Sequence, residues 1–335
     1  MNTFQPKRML VTGGAGFIGS NFICHMLKRD PDLQIVNLDK LTYAGSLQNL
    51  SEVAEQSRHV FIEGDICNAA LVDTILRKYT LDSVVHFAAE SHVDRSIQGP
   101  AAFVHTNVIG SFTLLEAVRR YWLQEKQWTS EQCRFHHIST DEVYGTLGPN
   151  DAPFSERSLY QPNSPYSASK AGSDHLVRAY AHTYGLPVTL SNCSNNYGPK
   201  QHREKFIPTV ILACLQQKPI PIYGDGSNIR DWLYVEDHCL ALDHILRQGQ
   251  VGRSYNVGAN NEWSNLELAQ YLASAMDKRY PQQAPHDRLI QYVTDRPGHD
   301  WRYAINDDRI RTELNWKPRC SFEEGIDKTI SFFTH

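Results

Sequence analysis

The stretch VTGGAGFIGS, Val11 to Ser20, limits the possible folds more than any other part of the chain. An apolar run, Arg8–Thr12, leads into Gly13, Gly16 and Gly19, and a helical pattern follows from Ser20 to Lys28. Strand, glycine turn and helix in that order open a βαβ unit. Lacking side chains, the glycines let backbone N–H groups approach a pyrophosphate at a helix N-terminus, where the dipole favours negative charge. The spacing is GxxGxxG rather than GxGxxG, and such a turn alone could merely pack a helix on a strand. A second feature decides between these. The next strand ends in Leu38-Asp39, with Asp39 20 residues beyond Gly19. A carboxylate there accepts the hydroxyls of an adenosine ribose and repels a 2′-phosphate, so the pattern predicts NAD rather than NADP. Asp65-Ile66 ends the third strand, where an adenine could be held.

Further strand-like runs at 35–38, 60–63, 83–87, 135–139 and 188–193 alternate with helical stretches at 69–78, 102–121 and 166–184. Apolar strands without polar alternation, separated by helices, predict an α/β fold: a Rossmann-type, doubly wound parallel sheet covered on both faces. After Pro199 the rhythm changes. GPKQHREKFIP and QQKPIPIYGDGSNIRDW are rich in Pro, Gly and charge and read as ordered loops. We expect a NAD-binding domain over 1–198, with a return segment around 233–259, and a smaller C-terminal substrate-binding domain over 199–335. Ser264–Glu267 and Ser321–Glu324 fit capping boxes. The polar insertion 121–133 reads as a solvated loop.

Composition narrows the function classes. The chain has 335 residues, 41% hydrophobic and 21% charged, with a net charge of −4 that predicts no attraction to nucleic acid or anionic membrane. No apolar run approaches the ~20 residues of a membrane helix, and the N-terminus lacks the apolar core of a signal peptide. Seven cysteines are scattered, with no CxxC, which predicts reduced thiols and a cytoplasmic location. With no HExxH and His136-His137 inside a strand pattern, no metal site is expected.

Two further motifs carry chemistry. In YSASK, Tyr166 and Lys170 share one helix face, and a cation beside a phenol favours the phenolate, which can accept a proton from a sugar hydroxyl. In HISTDEVYGT, a strand is followed by Thr140 and two adjacent carboxylates, Asp141 and Glu142. One of the acids could cap the next turn, but one cap does not explain both.

GxxGxxG with YxxxK resembles the extended short-chain dehydrogenase/reductase family, which acts on nucleotide sugars. HFAAESHVDRSI (86–97), STDEVYG (139–145), SNCSNNYGP (191–199), RDWLYVEDH (230–238) and DRPGHDWRYAI (295–305) narrow the resemblance to its 4,6-dehydratases. Such an enzyme must oxidise C4 of a hexose and also remove water. The resemblance implies NAD as cofactor, dTDP-glucose as substrate, a homodimer built on helices 102–121 and 166–184, and a role in deoxysugar synthesis. It makes Tyr166 and Lys170 the oxidation pair, Asp141 the acid, Glu142 the base and Thr140 a partner of the 4-hydroxyl. Cofactor contacts would come from Gly13, Gly16, Phe17, Ile18 and Gly19; from Asp39, Lys40, Leu41 and Thr42; and from Asp65 and Ile66. Phe87, Ala88, Ala89, Ser91, Thr106, Asn196, Tyr166 and Lys170 complete that set. Ser91, Thr140 and Asn195 would face the hexose. Lys205, Phe206, Pro221, Ile222, Tyr223, Arg230 and Asn265 would hold the nucleotide diphosphate together with Asp295, Arg296, Pro297, Gly298 and His299. Bottom-up, Arg230 offers a fork of donors suited to phosphate; otherwise it would pair with Asp231 on a surface loop. The segment KQHREKF departs from the family's usual tyrosine, glutamine and proline, and has Phe206 where leucine is common. Other readings on this scaffold are a nucleotide-sugar 4-epimerase or decarboxylase, which need no acid pair, and a non-catalytic NAD-binding regulator, which would not need the complete set.

Overall fold

The computed structural model describes residues 3–334. Strands β1 (Arg8–Thr12), β2 (Gln34–Asp39), β3 (His59–Glu63), β4 (Ser83–His86), β5 (Arg134–Thr140) and β6 (Val188–Cys193) follow the chain. After β7 (Asn195–Tyr197), β8 (Ile220–Tyr223) and β9 (Ile229–Tyr234) comes β10 (Ser254–Val257), then β11 (Glu262–Ser264) and β12 (Ile290–Val293). The main sheet has seven strands in the order β10-β6-β5-β4-β1-β2-β3, and every pair within it is parallel. Strand order reverses between β1 and β4, which opens a crevice at their C-terminal ends.

Two apolar layers hold the sheet. On one face, Leu10, Val36, Val84 and Phe135 pack with Val72 and Leu76 of helix Ala69–Tyr79, Leu114 and Trp122 of the long helix Pro100–Glu125, and Val177 of helix Pro165–Tyr184. On the other, Met9, Val11, Ile35 and Val85 pack with Phe22 and Met26 of helix Phe17–Arg29 and with Leu242 of helix Val235–Gln248. Strands buried on both sides read as unbroken apolar runs, which explains their legibility. Helix Pro165–Tyr184 starts at Ser164, whose hydroxyl accepts from Ser167 N–H in a reciprocal cap, and stops at Gly185 with φ +68°.

A second core joins Ile207 and Ile211 of helix Phe206–Gln216, Ile220, Ile222, Trp232, Leu268 and Leu272 of helix Asn265–Arg279, and Ile326 and Ile330 of helix Phe322–Thr334. Two small sheets, β11-β9-β7 and β12-β8, complete this region. The expected loop QQKPIPIYGDGSNIRDW contains β8 and β9 instead. Alternation explains the difference: Ile220 and Ile222 are buried while Pro221 and Tyr223 are exposed. β8 has one strand neighbour, so Pro221 is tolerated. Both expected capping boxes form: Ser264 pairs with Glu267 and Ser321 with Glu324.

The insertion 121–133 is not simply a solvated loop. The helix starting at Pro100 continues to Glu125, and Tyr121, Trp122 and Cys133 are buried. Helix Pro100–Glu125 is long and apolar enough to cross a membrane, but half of its most apolar window is buried within the fold, as in a core helix. Trp122 anchors it, its indole N–H donating to the Leu81 carbonyl at 2.8 Å. Replacing Trp122 by Ala should therefore cost about 3–5 kcal/mol of unfolding free energy. Urea unfolding followed by circular dichroism checks this; a loss under about 1 kcal/mol would place Trp122 outside the core.

Candidate active site

A cavity of about 930 Å³ opens at the C-terminal ends of β1, β2, β4 and β5 and extends to the second core. Its first wall is the glycine turn. Gly13 has φ +72°, and a Cβ there would lie 2.6 Å from the Ala88 nitrogen; at Gly19 it would lie 2.4 Å from the Gly13 carbonyl oxygen. Helix Phe17–Arg29 has no side-chain cap and no acid in its first turn, so its N-terminal donors stay available to an anion. Asp39 closes β2. Its two carboxylate oxygens accept the N–H groups of Ala15 and Leu41, both at 2.8 Å, which fixes its orientation at the cavity wall. Burial raises its pKa, and those two bonds oppose the rise. Lys40 pairs with Asp65 at 2.8 Å. Phe17, Ile18, Thr42, Ile66, Phe87, Ala88, Ala89, Ser91, Thr106 and Asn196 line the same space. This cradle fits a dinucleotide: substituted glycines would fill it, and the sole acid at the end of β2 faces it.

The second wall comes from the end of β5. The turn Asp141–Tyr144 is capped by the Thr140 hydroxyl, which accepts Glu142 N–H at 3.3 Å. Neither carboxylate is needed as a cap. Asp141 is 1% exposed, and its Oδ2 has no hydrogen-bond partner among the described residues. Burial, then Glu142 and Asp231, push its pKa well above the ordinary value, which favours its protonated form. Glu142 is half-buried, and burial raises its pKa too; Arg296, Lys205 and Arg230 oppose that rise without cancelling it. Adjacent acids thus sit in different electrostatic surroundings.

Tyr166 and Lys170 line the cavity from the first turns of helix Pro165–Tyr184. Lys170 Nζ donates to the Ile138 carbonyl at 2.8 Å. Burial and the neighbouring Glu142 raise the Tyr166 pKa well above 10, with the Thr140 hydrogen bond opposing them. In the protein alone, desolvation therefore outweighs the help expected from Lys170, and the phenol keeps its proton.

Residues from the second core region form the remaining wall: Lys205, Phe206, Pro221, Tyr223, Arg230, Asn265, Arg296 and His299, with Asn195 nearby. Lys205 Nζ donates to the Ser91 carbonyl at 3.1 Å. Arg230 forms no pair with Asp231, because neighbouring strand residues face opposite ways. Its guanidinium donates to the carbonyls of Ile229, Asp300 and Trp301 and lies 4.2 Å over the Tyr303 ring. Asp231 instead accepts from Ala259 and Asn261 N–H.

Five expected contacts lie off the cavity wall. Ile222 turns into the second core between Pro221 and Tyr223, and Leu41 packs against the first sheet. Asp295 stands behind His299, accepting at 2.7 Å, while Pro297 and Gly298 form an exposed turn. Conversely, Tyr43, Arg95, Trp232 and Tyr303 line the cavity with no role in the sequence reading, while Glu90 lines it within the expected run Phe87 to Ser91. Arg95 lies 3.8 Å over the Tyr43 ring and donates to Glu204 at 3.0 Å, so it helps roof the entrance. Arg95 and Tyr303 sit within the quoted sequence blocks, but nothing local reveals their partners. No cluster able to hold a metal ion exists among the described residues.

Comparison with known proteins agrees with this geometry. The family model for GDP-mannose 4,6 dehydratase matches residues 10–329. A dTDP-glucose 4,6-dehydratase of Xanthomonas campestris pv. campestris is 52% identical over 97% of this chain and 92% of its own. The enzyme of that name from Salmonella typhimurium is 51% identical over 97% and 92%. Among solved structures, dTDP-glucose 4,6-dehydratase from Bacillus anthracis in complex with NAD superposes with a TM-score of 0.87 at 42% identity, covering 98% of this chain and 96% of that one. A UDP-glucose 4-epimerase from Thermotoga maritima also superposes, with a TM-score of 0.86 at 26% identity over 98% of both chains. Since the family model spans nearly the whole length and the glycine cradle, acid pair and YxxxK helix share one cavity, the chain belongs to the GDP-mannose 4,6 dehydratase family.

Proposed function

We propose that this chain is a dTDP-glucose 4,6-dehydratase, an NAD-dependent hydro-lyase yielding the 4-dehydro-6-deoxy sugar used in deoxysugar synthesis. The observation that carries the reading is a buried Asp141, its Oδ2 without a hydrogen-bond partner among the described residues, beside Glu142 in the same cavity as Tyr166 and Lys170. An epimerase on this fold needs no such pair.

The glycine turn and Asp39 would hold NAD, which would supply the hydride-transfer chemistry for oxidation at C4 and reduction at C6. Tyr166 accepts the proton of the 4-hydroxyl while Thr140 hydrogen-bonds that oxygen. Burial favours the protonated phenol in the protein alone, and the ammonium of Lys170, one turn away, opposes that preference in the reacting complex. The ketone at C4 then acidifies the C5–H bond, because its loss gives an enolate. Glu142 takes the C5 proton, and Asp141 protonates the departing C6 hydroxyl, which leaves as water; when C6 is reduced, Glu142 returns a proton to C5. Two carboxyls, one neutral and one ionised, divide the work of acid and base. Lys205, Arg230, Arg296 and His299 supply donors or cations for the nucleotide diphosphate.

We further divide the chain into a NAD-binding unit, 1–198 with a return over 233–259, and a nucleotide-sugar unit over the rest of 199–335. The reading includes a cytoplasmic location, supported by seven free cysteines. It also includes a homodimer, for which the support differs from expectation. Leu114, Leu115, Val118 and Val177 serve the intramolecular core, and Tyr180 donates to Glu116 at 2.6 Å. The outward apolar residues are Val104, Ile109, Phe112 and Tyr184. A stripe of these on two adjacent helices suits a two-fold contact.

Three outcomes are expected. In a single turnover with dTDP-glucose, Glu142→Gln should accumulate NADH absorbance without dehydrated product, whereas Tyr166→Phe should form no NADH. Turnover should drop by ~10²–10⁴-fold in each; near-normal product from well-folded Glu142→Gln would sink the mechanism. Light scattering should give twice the 38.2 kDa chain mass, and Phe112→Glu should shift it toward the monomer. A wild-type monomer would refute the dimer.

The third outcome concerns pH. Asp141 has a raised folded pKa, so above about pH 4, the unfolded value, only the unfolded chain ionises there and stability falls as pH rises. Asp141→Asn escapes that loss. Its melting point should exceed wild type near pH 7.5, and the difference should shrink toward zero as pH falls to about 4. A variant that melts lower than wild type at pH 7.5 would contradict a neutral Asp141.

A further inference from the structure

Helix Pro165–Tyr184 carries Tyr166, Lys170, Asp174 and Arg178 at four-residue intervals, so all four project from one stripe. The first two line the cavity; Asp174 does not, and it is fully buried one turn beyond Lys170. Its Oδ2 accepts from the Ser139 hydroxyl at 2.8 Å, the Tyr160 hydroxyl at 2.9 Å and Asn192 Nδ2 at 3.4 Å. His137 Nε2 stands 3.1 Å from Oδ1. Arg178 supports the ring from outside, donating to the Tyr160 oxygen at 2.7 Å. A carboxylate removed from water is costly unless donors surround it, and here three donors converge on one oxygen. Burial pushes its pKa up, but His137, Lys170 and Ser139 outweigh burial, and the net shift is downward.

Lys170 needs a compensating charge. Its one hydrogen-bond acceptor is the neutral Ile138 carbonyl, and burial lowers its pKa. Around it, β6 presents the Cys193 thiol, β5 presents His137 and β4 presents His86. Its own helix adds Tyr166 and Asp174, one turn to either side. Burial keeps both histidines neutral: His137 is lowered to about 4 and His86 well below its ordinary value. The Cys193 thiol is pushed up by burial. Asp174 is thus the ionised acid nearest Lys170 along the stripe, and it heads the influences that oppose the loss of its proton.

Building on the dehydratase reading, we propose that Asp174 is a positioning residue for the oxidation step. Its buried carboxylate keeps Lys170 an ammonium ion at the cavity wall and so sets the pH range over which Tyr166 accepts the sugar proton. It touches neither substrate nor cofactor. The unused alternative is that Asp174 only ties β5, β6 and the 160 loop to the helix.

The test uses the full-length holoenzyme and follows NADH formation on mixing with dTDP-glucose across pH 6–10. Asp174→Asn keeps the shape and removes the charge. Its alkaline decline in rate should move down by about one pH unit or more. On the alkaline limb, above both midpoints, a one-unit shift should lower the rate roughly tenfold, with KM changed less than about twofold because Asp174 is off the cavity wall. Tyr160→Phe loosens the same ring while leaving the charge, so its alkaline limb should stay in place or move up. A profile for Asp174→Asn that superimposes on wild type, or a Tyr160→Phe limb that moves down equally, would overturn the proposal in favour of a packing role. Should Asp174→Asn fail to fold, the Tyr160→Phe limb still decides, since a downward move overturns the idea. Wild-type enzyme that forms neither NADH nor product would instead overturn the dehydratase reading itself.

Discussion

Loss of solvation governs this site. Five groups with chemical potential, Asp141, Glu142, Tyr166, Lys170 and Asp39, are drawn toward their neutral forms by burial before any neighbour acts on them. What distinguishes them is the compensation each receives. Asp39 has two backbone donors, Glu142 has three cations in range, and Asp141 has mainly other acids. The same carboxyl chemistry is therefore biased toward the neutral form more strongly at Asp141 than at Glu142 by surroundings alone. A water-filled cleft would level those differences.

The fold supplies the burial. The parallel sheet brings the ends of β1, β2, β4 and β5 to one edge, which puts the glycine turn, Asp39 and the acid pair side by side. The second core lays Lys205, Arg230 and Arg296 over that edge. Neither part makes the electrostatic pattern alone. The acids come from the sheet, and the cations that moderate Glu142 come from the other region.

Much of this was legible in the sequence where a physical pattern is local. The six strands and four helices of the sheet region were found because doubly buried strands give unbroken apolar runs; their ends differ by a few residues. Short, half-buried strands were missed: β8 hides its alternation within four residues that include a proline. The tail of helix Pro100–Glu125 looked solvated because Trp122 is buried through a bond to the distant Leu81 carbonyl. At the site, residue types in motifs could be named, but not what they touch. Lys170 binds a backbone carbonyl, and Arg95 meets Glu204 across 109 positions. Ile222 was included with its neighbours although strand alternation alone would have turned it inward.

The return of β10 to the sheet has a mechanical consequence. The chain leaves the sheet after β6, comes back through helix Val235–Gln248 and β10, departs again at β11, and packs helix Asp308–Leu314 against β10 and its surroundings before the last helix. Such repeated crossings act as cross-bracing. Swinging one region as a rigid body would strain several connections together, so a wide hinge is a stiff coordinate. The softer coordinate is the roof, where Lys205 reaches Ser91 and the partly exposed Arg95 meets Glu204. Exposed ion pairs are worth only about 0–1 kcal/mol, so parting these side chains costs less than deforming the braced floor beneath them.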